Sequence, residues 1–361
     1  MSSIVFVDPA CNQPYSTETL TTAAIGGTEA SVVRIADALG AYVMQHNRSQ
    51  ACGRYRPLEP ITDIDRVVLI RDSRALPAVR SLFPNAQVFL WLHDKLRPRS
   101  KRGRWLASTA QLLREMGVTL VCVSDSHRRD VVSTLQWIGV ADAVRTTTIY
   151  NPVDEALVPD GSPVDDAKLI FFSSPNKGLA FALDAFRALR RAMPDLRLVV
   201  GNPGYKFTRQ TRIEGVEYLG PQPQWRIHSE VRTALCTFHP NFVIPETFGM
   251  VYAESKALGT PVLTHDFGAA AEVIDDPRQI LPVTAAHRLY EQLVGGLAPS
   301  WRVLPAGLAT RLGLFDPYIE RIRRWRQGER PRVAPDPRFR LSTVVGGWRR
   351  LIGVESASSP P

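Results

Sequence analysis

The chain has 361 residues, of which 44 % are hydrophobic and 22 % charged, a composition that excludes a fibrous or largely disordered protein and favours two globular domains. Its formal net charge of +9 indicates an anionic partner, such as a nucleic acid, a membrane surface or a phosphate-bearing substrate. The four cysteines are widely scattered, so free thiols are expected rather than disulfides or a metal cluster.

Short, continuous apolar runs alternate with helical patterns in the first half of the chain. Such runs are typical of strands buried on both faces of a parallel sheet. The predicted strands cover residues 4–8, 67–71, 88–92 and 119–124, and the predicted helices cover residues 28–40, 101–116 and 126–138. No run reaches the roughly 18 apolar residues of a membrane helix, and the first residues lack the features of a signal peptide. We therefore expect a cytoplasmic protein, soluble or peripheral at the inner face of the cell membrane.

The same alternation restarts after a linker at 151–167 that holds three prolines. The predicted strands cover residues 169–174, 196–201, 234–240 and 261–265, and the main predicted helices cover residues 178–193 and 248–258. Two such blocks predict an α/β protein of two facing, doubly wound Rossmann-like domains, with an interdomain cleft at the carboxyl ends of the strands. The predicted domains are 1–150, 151–335 and a final segment, 336–361, whose helix packs back on the N-terminal domain and whose tail is disordered.

The stretch PETFGMVYAESKALGTPVL holds two glutamates, Glu246 and Glu254, with seven residues between them. Gly249 marks a predicted helix start and Gly259 its end. Free amides at such a start bind phosphate, and carboxylates accept hydrogen bonds from hydroxyls. The pattern therefore predicts a nucleotide sugar as ligand. The alternative is that Glu246 is only an N-cap acid and Glu254 a solvated helix residue.

This stretch, followed by GAAAEVI at 268–274, resembles the E-x7-E region of retaining glycosyltransferases with the GT-B fold, in the GT4 family or glycosyl transferases group 1. Further segments resemble that family in the same order. They are GGTE (26–29), WLHD (91–94), CVSDSHRRDVV (122–132), IYNPVD (149–154) and SSPNKGL (173–179). The resemblance spans most of positions 4 to 276. It implies a two-domain protein with its donor in the C-terminal domain.

The resemblance also implies roles for individual residues. Glu246 would contact hydroxyls of the transferred sugar, Lys177 would neutralise the leaving diphosphate, and His93 would hydrogen-bond the sugar. The implied donor-binding residues are Gly26, Gly27, Ser174, Phe248, Gly249, Met250, Val251 and Glu254, the last of which would hold the ribose. Some of these residues would also fit a purely structural role. Gly26 and Gly27 could form an ordinary turn, Lys177 could be solvated, and His93 could be a core histidine whose hydrogen bonds are made within the protein.

One departure from the family concerns the phosphate site. An arginine that the family often carries a few residues before the lysine is missing, because Ser173, Ser174 and Pro175 occupy the turn. The segment GYKFTRQTR offers three other cations, Lys206, Arg209 and Arg212. No metal and no organic cofactor is implied. The DID pattern at 63–65 is predicted to be a loop that leads into a strand.

The expected function is metal-independent transfer of a hexose from a UDP- or GDP-linked sugar to a glycan, a lipid-linked glycan or another hydroxyl acceptor, in the biosynthesis of cell-surface polysaccharide or glycoconjugate. Alternatives are a sugar-nucleotide epimerase of the same fold and a non-catalytic nucleotide-sugar or glycan-binding protein. Nucleic-acid binding has only the charge in its favour. Two basic stretches, 95–105 and 321–332, suggest an anionic acceptor or contact with an anionic membrane, or else solvated helix faces.

Overall fold

The structure is a computed structural model that describes residues 4–202, 212–294 and 313–353. Within these residues the chain divides into two compact units. The first unit holds residues 4–20, 27–155 and 337–353, and the second holds 21–26, 156–202, 212–294 and 313–336. The predicted disordered tail, and the cations Lys206 and Arg209, lie outside the described residues.

The first unit is built on a seven-stranded parallel sheet with the order β3-β2-β1-β4-β5-β6-β7. Its strands are β1 (Ile4–Asp8), β2 (Tyr42–Gln45), β3 (Tyr55–Arg56), β4 (Arg66–Ile70), β5 (Gln87–Leu92), β6 (Thr119–Cys122) and β7 (Arg145–Thr148). Its helices are α1 (Thr19–Thr22), whose last two residues fall in the second unit, α2 (Gly27–Leu39), α3 (Leu76–Leu82), α4 (Lys101–Ser108), α5 (Ala110–Glu115) and α6 (Asp125–Trp137). From β1, the chain adds β2 and β3 on one side of the sheet and β4 to β7 on the other. The point between β1 and β4 is therefore the switch point, where doubly wound sheets bind ligands.

The second unit is built on a six-stranded parallel sheet with the order β10-β9-β8-β11-β12-β13. Its strands are β8 (Asp165–Phe171), β9 (Arg197–Asn202), β10 (Val216–Pro221), β11 (Ala234–Phe238), β12 (Val262–His265) and β13 (Ile280–Leu281). Its helices are α7 (Leu179–Ala192), α8 (Gln224–Arg232), α9 (Met250–Ala257), α10 (Ala270–Val273), α11 (Ala285–Val294) and α12 (Asp316–Arg324). The switch point of this sheet lies between the neighbouring strands β8 and β11.

The segment 337–353 ends in helix α13 (Leu341–Ile352), which packs on the first unit. Val153 exchanges backbone hydrogen bonds with Phe339 and Leu341, at 2.7 and 3.0 Å. Trp348 is fully buried, with its ring 4.9 Å from that of Trp91. The buried aromatic ring anchors the helix by removing a large apolar surface from water.

The two sheets confirm the predicted α/β class, and all eight predicted strands are present, seven of them with shifted ends. Five strands were not predicted: β2, β3, β7, β10 and β13. The helix predicted at 101–116 is broken at Thr109, whose hydroxyl donates to the carbonyl of Trp105 at 3.0 Å. The helix predicted to begin at residue 248 begins at Met250.

Candidate functional site

The carboxyl ends of β8 and β11, neighbours at the switch point of the second sheet, carry most of the predicted donor-site residues. The turn 172–178 follows β8 and leads into α7, and the loop 239–249 follows β11 and leads into α9. Ser174 is buried in the first of these segments, and its carbonyl accepts from the amide of Lys177 at 2.8 Å. The fold thus brings residues about 70 positions apart to one edge of one sheet.

Lys177 and Glu246 form an ion pair, with 2.7 Å between Lys177 Nζ and Glu246 Oε2. The Glu246 side chain is 6 % exposed and the Lys177 side chain 29 %. Burial alone would raise the pKa of the Glu246 carboxyl, but the charge of Lys177 and the neighbouring His239 outweigh burial and lower the pKa to about 2. Glu246 is therefore a buried carboxylate at neutral pH.

His239 lies on the other side of the Glu246 carboxylate, with Nε2 3.6 Å from Oε1. That distance is too long for a hydrogen bond. Burial is the main cause of the lowered pKa of His239, so the imidazole is neutral at pH 7. Within the described part of the chain, Glu246 Oε1 is buried and has no hydrogen-bond partner. A ligand hydroxyl would satisfy this oxygen.

The backbone of Glu246 is held by a short parallel bridge to Gly268. The amide of Ala269 donates to the carbonyl of Glu246 at 2.9 Å. Gly268 has a φ of +72°, and a Cβ there would lie 2.4 Å from the Glu246 carbonyl oxygen. The GAAAEVI segment of the sequence therefore contains the residue that allows this close approach.

Asn241 shapes the loop that presents Glu246. Its Oδ1 accepts from the amides of Val243 and Ile244, at 3.2 and 3.3 Å, and its Nδ2 donates to the carbonyl of Ile244 at 2.6 Å. Gly178, with a φ of +94°, leaves room for this residue, because a Cβ on Gly178 would lie 3.3 Å from Asn241 Cα. The loop after β11 and the turn after β8 are therefore packed directly on each other.

Helix α9 begins beside this loop, and Gly249 is its N-cap with a φ of +87°. A Cβ on Gly249 would lie 2.3 Å from the ring of Tyr252, so the ring can cover the first turn only because residue 249 is glycine. The amides of Met250 and Val251 lie in this first turn, where N–H groups have no acceptor within the helix. Such amides, with the positive end of the helix dipole, suit a phosphate oxygen.

Glu254 lies one turn into α9 and is 5 % exposed. Its Oε2 is 3.7 Å from Nε2 of His228, on α8. Its Oε1 is a second buried carboxylate oxygen without a hydrogen-bond partner among the described residues. Both glutamates are thus buried, so the alternative in which Glu254 is a solvated helix residue is wrong.

In the first unit, His93 follows β5 directly and packs on Trp91, with 4.5 Å between ring centroids. Burial, and then the charge of Arg71, lower the pKa of His93 well below its ordinary value, so the imidazole is neutral. His127 accepts from the amide of Val123 through Nδ1 at 3.4 Å, so its Nε2 carries the proton and donates to the carbonyl of Asp94 at 3.0 Å. The turn that presents His93 is therefore fixed by a neighbouring helix.

The glycine pair lies at the start of α2: Gly26 precedes the helix and Gly27 is its first residue. Glu29, in the first turn, accepts from Arg71 Nη1 at 3.3 Å, and Nε of the same arginine is 3.6 Å from Asp94 Oδ2. Arg71 has a φ of +64°, uncommon for a residue other than glycine. This arginine therefore links the GGTE segment to the WLHD segment.

Arg212 does not replace the arginine that is missing beside Lys177. It lines a groove of about 520 Å³ with Arg187, Arg190 and Arg191, at the C-terminal end of α7. Lys177 precedes the N-terminal end of that helix, which is 14 residues long. At 1.5 Å per residue, α7 puts the two ends about 20 Å apart.

Other predicted features are located as follows. Asp63 and Asp65 lie in the loop before β4. Within the described ranges, no group of three or more His, Cys, Asp or Glu side chains is placed to hold a metal ion. In the same ranges, no helix combines the length and apolar character needed to cross a bilayer.

The two basic stretches have different surroundings. In the first, Arg97, Arg99, Lys101 and Arg104 are exposed on or beside α4. In the second, Trp325 is buried, Arg326 pairs with Asp195 at 2.5 Å, and Arg330 donates to the carbonyl of Leu235 at 2.8 Å. Much of the second stretch therefore has a structural role.

Sequence reasoning missed four residues that support the site: Arg71, His127, His239 and Asn241. His239 lies at the end of the predicted strand 234–240 and Asn241 directly follows it, at the carboxyl end where ligands bind, so position was an available signal. Nothing in the sequence marks the positive φ of Arg71.

Comparison with known proteins shows which families and folds the chain is similar to. Residues 159–289 match the family model described as glycosyl transferases group 1. A phosphatidyl-myo-inositol mannosyltransferase from Mycobacterium leprae is 28 % identical over 165 residues, which cover 43 % of this chain and 43 % of that protein. A D-inositol 3-phosphate glycosyltransferase from Acidothermus cellulolyticus is 29 % identical over 36 % of this chain and 33 % of that protein. The matches thus span less than half the length of these curated relatives.

A solved structure of HepE from Anabaena, in complex with UDP, is similar to the whole chain in fold. It has a TM-score of 0.61 and 17 % sequence identity, and it covers 98 % of this chain and 100 % of that one. At this identity the likeness concerns the fold alone. Residues 159–289 are therefore similar to the group 1 glycosyl transferases, as the sequence resemblance indicated, and the chain has the GT-B fold, which confirms the fold class predicted from the sequence.

Proposed function

We propose that the protein is a retaining, metal-independent glycosyltransferase that moves a hexose from a UDP- or GDP-linked sugar to a hydroxyl of a glycan or lipid-linked acceptor. The observation that carries the proposal is the Lys177–Glu246 ion pair beside the N-terminus of α9, at the switch point of the second sheet. A cation and free amides suit a diphosphate, and a buried carboxylate suits sugar hydroxyls.

The reaction breaks the bond between the anomeric carbon and the diphosphate oxygen, and both electrons leave with the diphosphate. Negative charge grows on the leaving group, where Lys177 and the amides of Met250 and Val251 stabilise it. Positive charge grows on the sugar ring, where the carboxylate of Glu246 stabilises it. The acceptor oxygen then bonds to the anomeric carbon on the face that the diphosphate leaves, and its proton passes to the departing diphosphate oxygen.

Burial and position in the fold assign roles to the remaining residues that would bind the sugar donor. Glu254, deeper in α9 than the phosphate-binding turn, accepts hydrogen bonds from the ribose hydroxyls through Oε1, which has no hydrogen-bond partner among the residues that the structure describes. His93, as a neutral imidazole, can both donate to and accept from a hydroxyl of the transferred sugar. That these residues face one cleft, with Gly26 and Gly27 close to the donor, stays a prediction.

The cellular role completes the proposal. The protein would work in the cytoplasm, in part at the inner face of the cell membrane, and build a cell-surface polysaccharide or glycoconjugate. Two relatives named for transfer to inositol-containing acceptors support a phosphate-bearing or lipid-linked acceptor. The net charge of +9 suits such an anionic partner.

A panel of nucleotide sugars tests the donor assignment. We expect one class, UDP- or GDP-linked, to raise the melting temperature of the purified protein, because a ligand that binds only the folded state stabilises it. A donor present at about 100 times its Kd would stabilise by about 2.7 kcal/mol. The Lys177→Met variant is the control, and its shift should be much smaller. Equal shifts with the corresponding sugar-free nucleoside monophosphates would contradict a diphosphate-sugar site.

Binding to lipid vesicles tests the membrane assignment. Replacing Arg97, Arg99 and Arg104 by Gln should weaken binding to anionic vesicles roughly 100-fold, at about 1 kcal/mol per cation near the surface. The matched control replaces three exposed cations of the second stretch, Arg323, Arg324 and Arg332, by Gln and should have little effect. Binding of the wild type should also fall sharply with added salt. Equal losses in the two variants, or equal binding to neutral vesicles, would contradict a basic surface at α4 that is specific for anionic lipid.

A further inference from the structure

The ion pair between Lys177 and Glu246 joins two groups that have different tasks in the proposed reaction. The ammonium of Lys177 is 2.7 Å from Glu246 Oε2, yet the diphosphate also requires this cation. The carboxylate of Glu246 is engaged by the lysine, yet the sugar hydroxyls also require it. Both groups therefore have a resting partner that differs from their partner in the donor complex.

We propose that Lys177 exchanges Glu246 for the donor diphosphate, so that Glu246 becomes available to the sugar only when a diphosphate is bound. The inference rests on the proposed function and adds an order of events within the same site. Lys177 has the exposure needed for such a change, since its side chain is 29 % exposed, whereas the Glu246 side chain is 6 % exposed and its backbone is fixed by Gly268. The lysine is therefore the group that moves.

Once Lys177 has left, the Glu246 carboxylate needs another group to stabilise its charge. The groups that face its carboxylate are Lys177, His239 and Tyr252. Tyr252 holds its proton, since burial raises the pKa of its hydroxyl, and His239 is neutral. When Lys177 turns to the diphosphate, a buried carboxylate remains without a cation, a costly state. Sugar hydroxyls that donate to it, or a proton, relieve that cost.

Two consequences follow. A free hexose should bind more tightly when a nucleoside diphosphate is present, and by reciprocity the hexose should tighten diphosphate binding by the same factor. In the absence of the sugar, diphosphate binding should be accompanied by proton uptake at Glu246. Lys177 is the first of the influences that lower the pKa of Glu246 to about 2, so its departure raises that pKa and leaves burial opposed only by His239.

Isothermal titration calorimetry with UDP, and with GDP, tests the inference. Titrations at pH 5.5 in two buffers of different ionisation enthalpy give the number of protons taken up by the wild type and by Glu246→Gln, which keeps the shape and cannot titrate. We expect the wild type to take up more protons than the variant, because only the wild type has a carboxylate at position 246 whose pKa rises when Lys177 leaves. We also expect Glu246→Gln to bind the diphosphate about tenfold more tightly, because its lysine has no carboxylate to leave.

The outcomes separate the inference from the proposed function. Equal proton uptake and equal affinity in the two proteins would overturn the exchange and leave the donor site intact. A crystal structure of the UDP or GDP complex in which Lys177 Nζ stays hydrogen-bonded to Glu246 Oε2 would also overturn it. Failure of the wild type to bind either diphosphate would overturn the proposed function, and the inference with it.

Discussion

Replacing Glu246 by Gln is expected to lower kcat by about 10²–10³, the loss typical of removing a charge-stabilising group from an active site. The glutamate is the buried carboxylate next to the phosphate-binding turn, so it should face the sugar ring, whose positive charge grows in the transition state. An interaction that strengthens in the transition state changes the catalytic rate. The donor KM should change little in comparison.

Glu254→Gln is the matched control, because Glu254 is equally buried and lies on the same helix. Its proposed partners, the ribose hydroxyls, look the same in the ground state and the transition state. This variant should therefore mainly raise the donor KM, by roughly the 1.5–3 kcal/mol of a charged hydrogen bond. Steady-state kinetics with varied donor separate the two effects. Loss of turnover at saturating donor in Glu254→Gln, with Glu246→Gln near the wild type, would reverse the assignment of the two carboxylates.

Gly268→Ala is expected to damage both stability and activity. The substitution places a methyl group 2.4 Å from the Glu246 carbonyl oxygen and forces a non-glycine residue into a φ of +72°. The bridge that holds Glu246 must then open or shift. We expect a loss of about 3 kcal/mol in the free energy of unfolding. That loss corresponds to a melting temperature lower by about 6–12 °C for a unit of this size. Thermal unfolding and kcat should fall together.

Gly161→Ala is the control for Gly268→Ala, because it introduces backbone strain at a positive φ without a steric clash. Gly161 also has a positive φ, +78°, but a Cβ there meets nothing within 4 Å. This control should lose only about 1 kcal/mol and keep its kcat. If both variants lost the same stability and kept their activity, the bridge to Gly268 would have no role in holding Glu246.

The elements that could be predicted are those whose signal is local. Continuous apolar runs identified the central strands, and glycines at the start and end of α9 marked its limits within two residues. The two glutamates beside a helix start marked Glu246, the family resemblance marked Lys177, and the resemblance together with the carboxyl end of a predicted strand marked His93. The strands that were missed are short, as β3 and β13 are, or have half-exposed residues, as β7 and β10 do.

The contacts that could not be predicted join residues far apart in sequence. Lys177 and Glu246 are paired across 69 positions, and no local pattern indicates that one is the partner of the other. The same limit applies to the second basic stretch. Its charge pattern resembles a solvated helix face, yet Arg326 and Arg330 find partners in Asp195 and Leu235, more than 90 residues away.

Donor cleavage measured by phosphorus NMR tests the central claim most directly. The wild type, incubated with the nucleotide sugar that stabilises it most, should release the nucleoside diphosphate, faster when an acceptor is supplied. Glu246→Gln should release it about 10²–10³ times more slowly under the same conditions. A sugar that is altered while it stays bound to the nucleotide would indicate an epimerase instead. If the donor binds but is neither cleaved nor altered, with acceptors present or absent, the protein is not the glycosyltransferase proposed here.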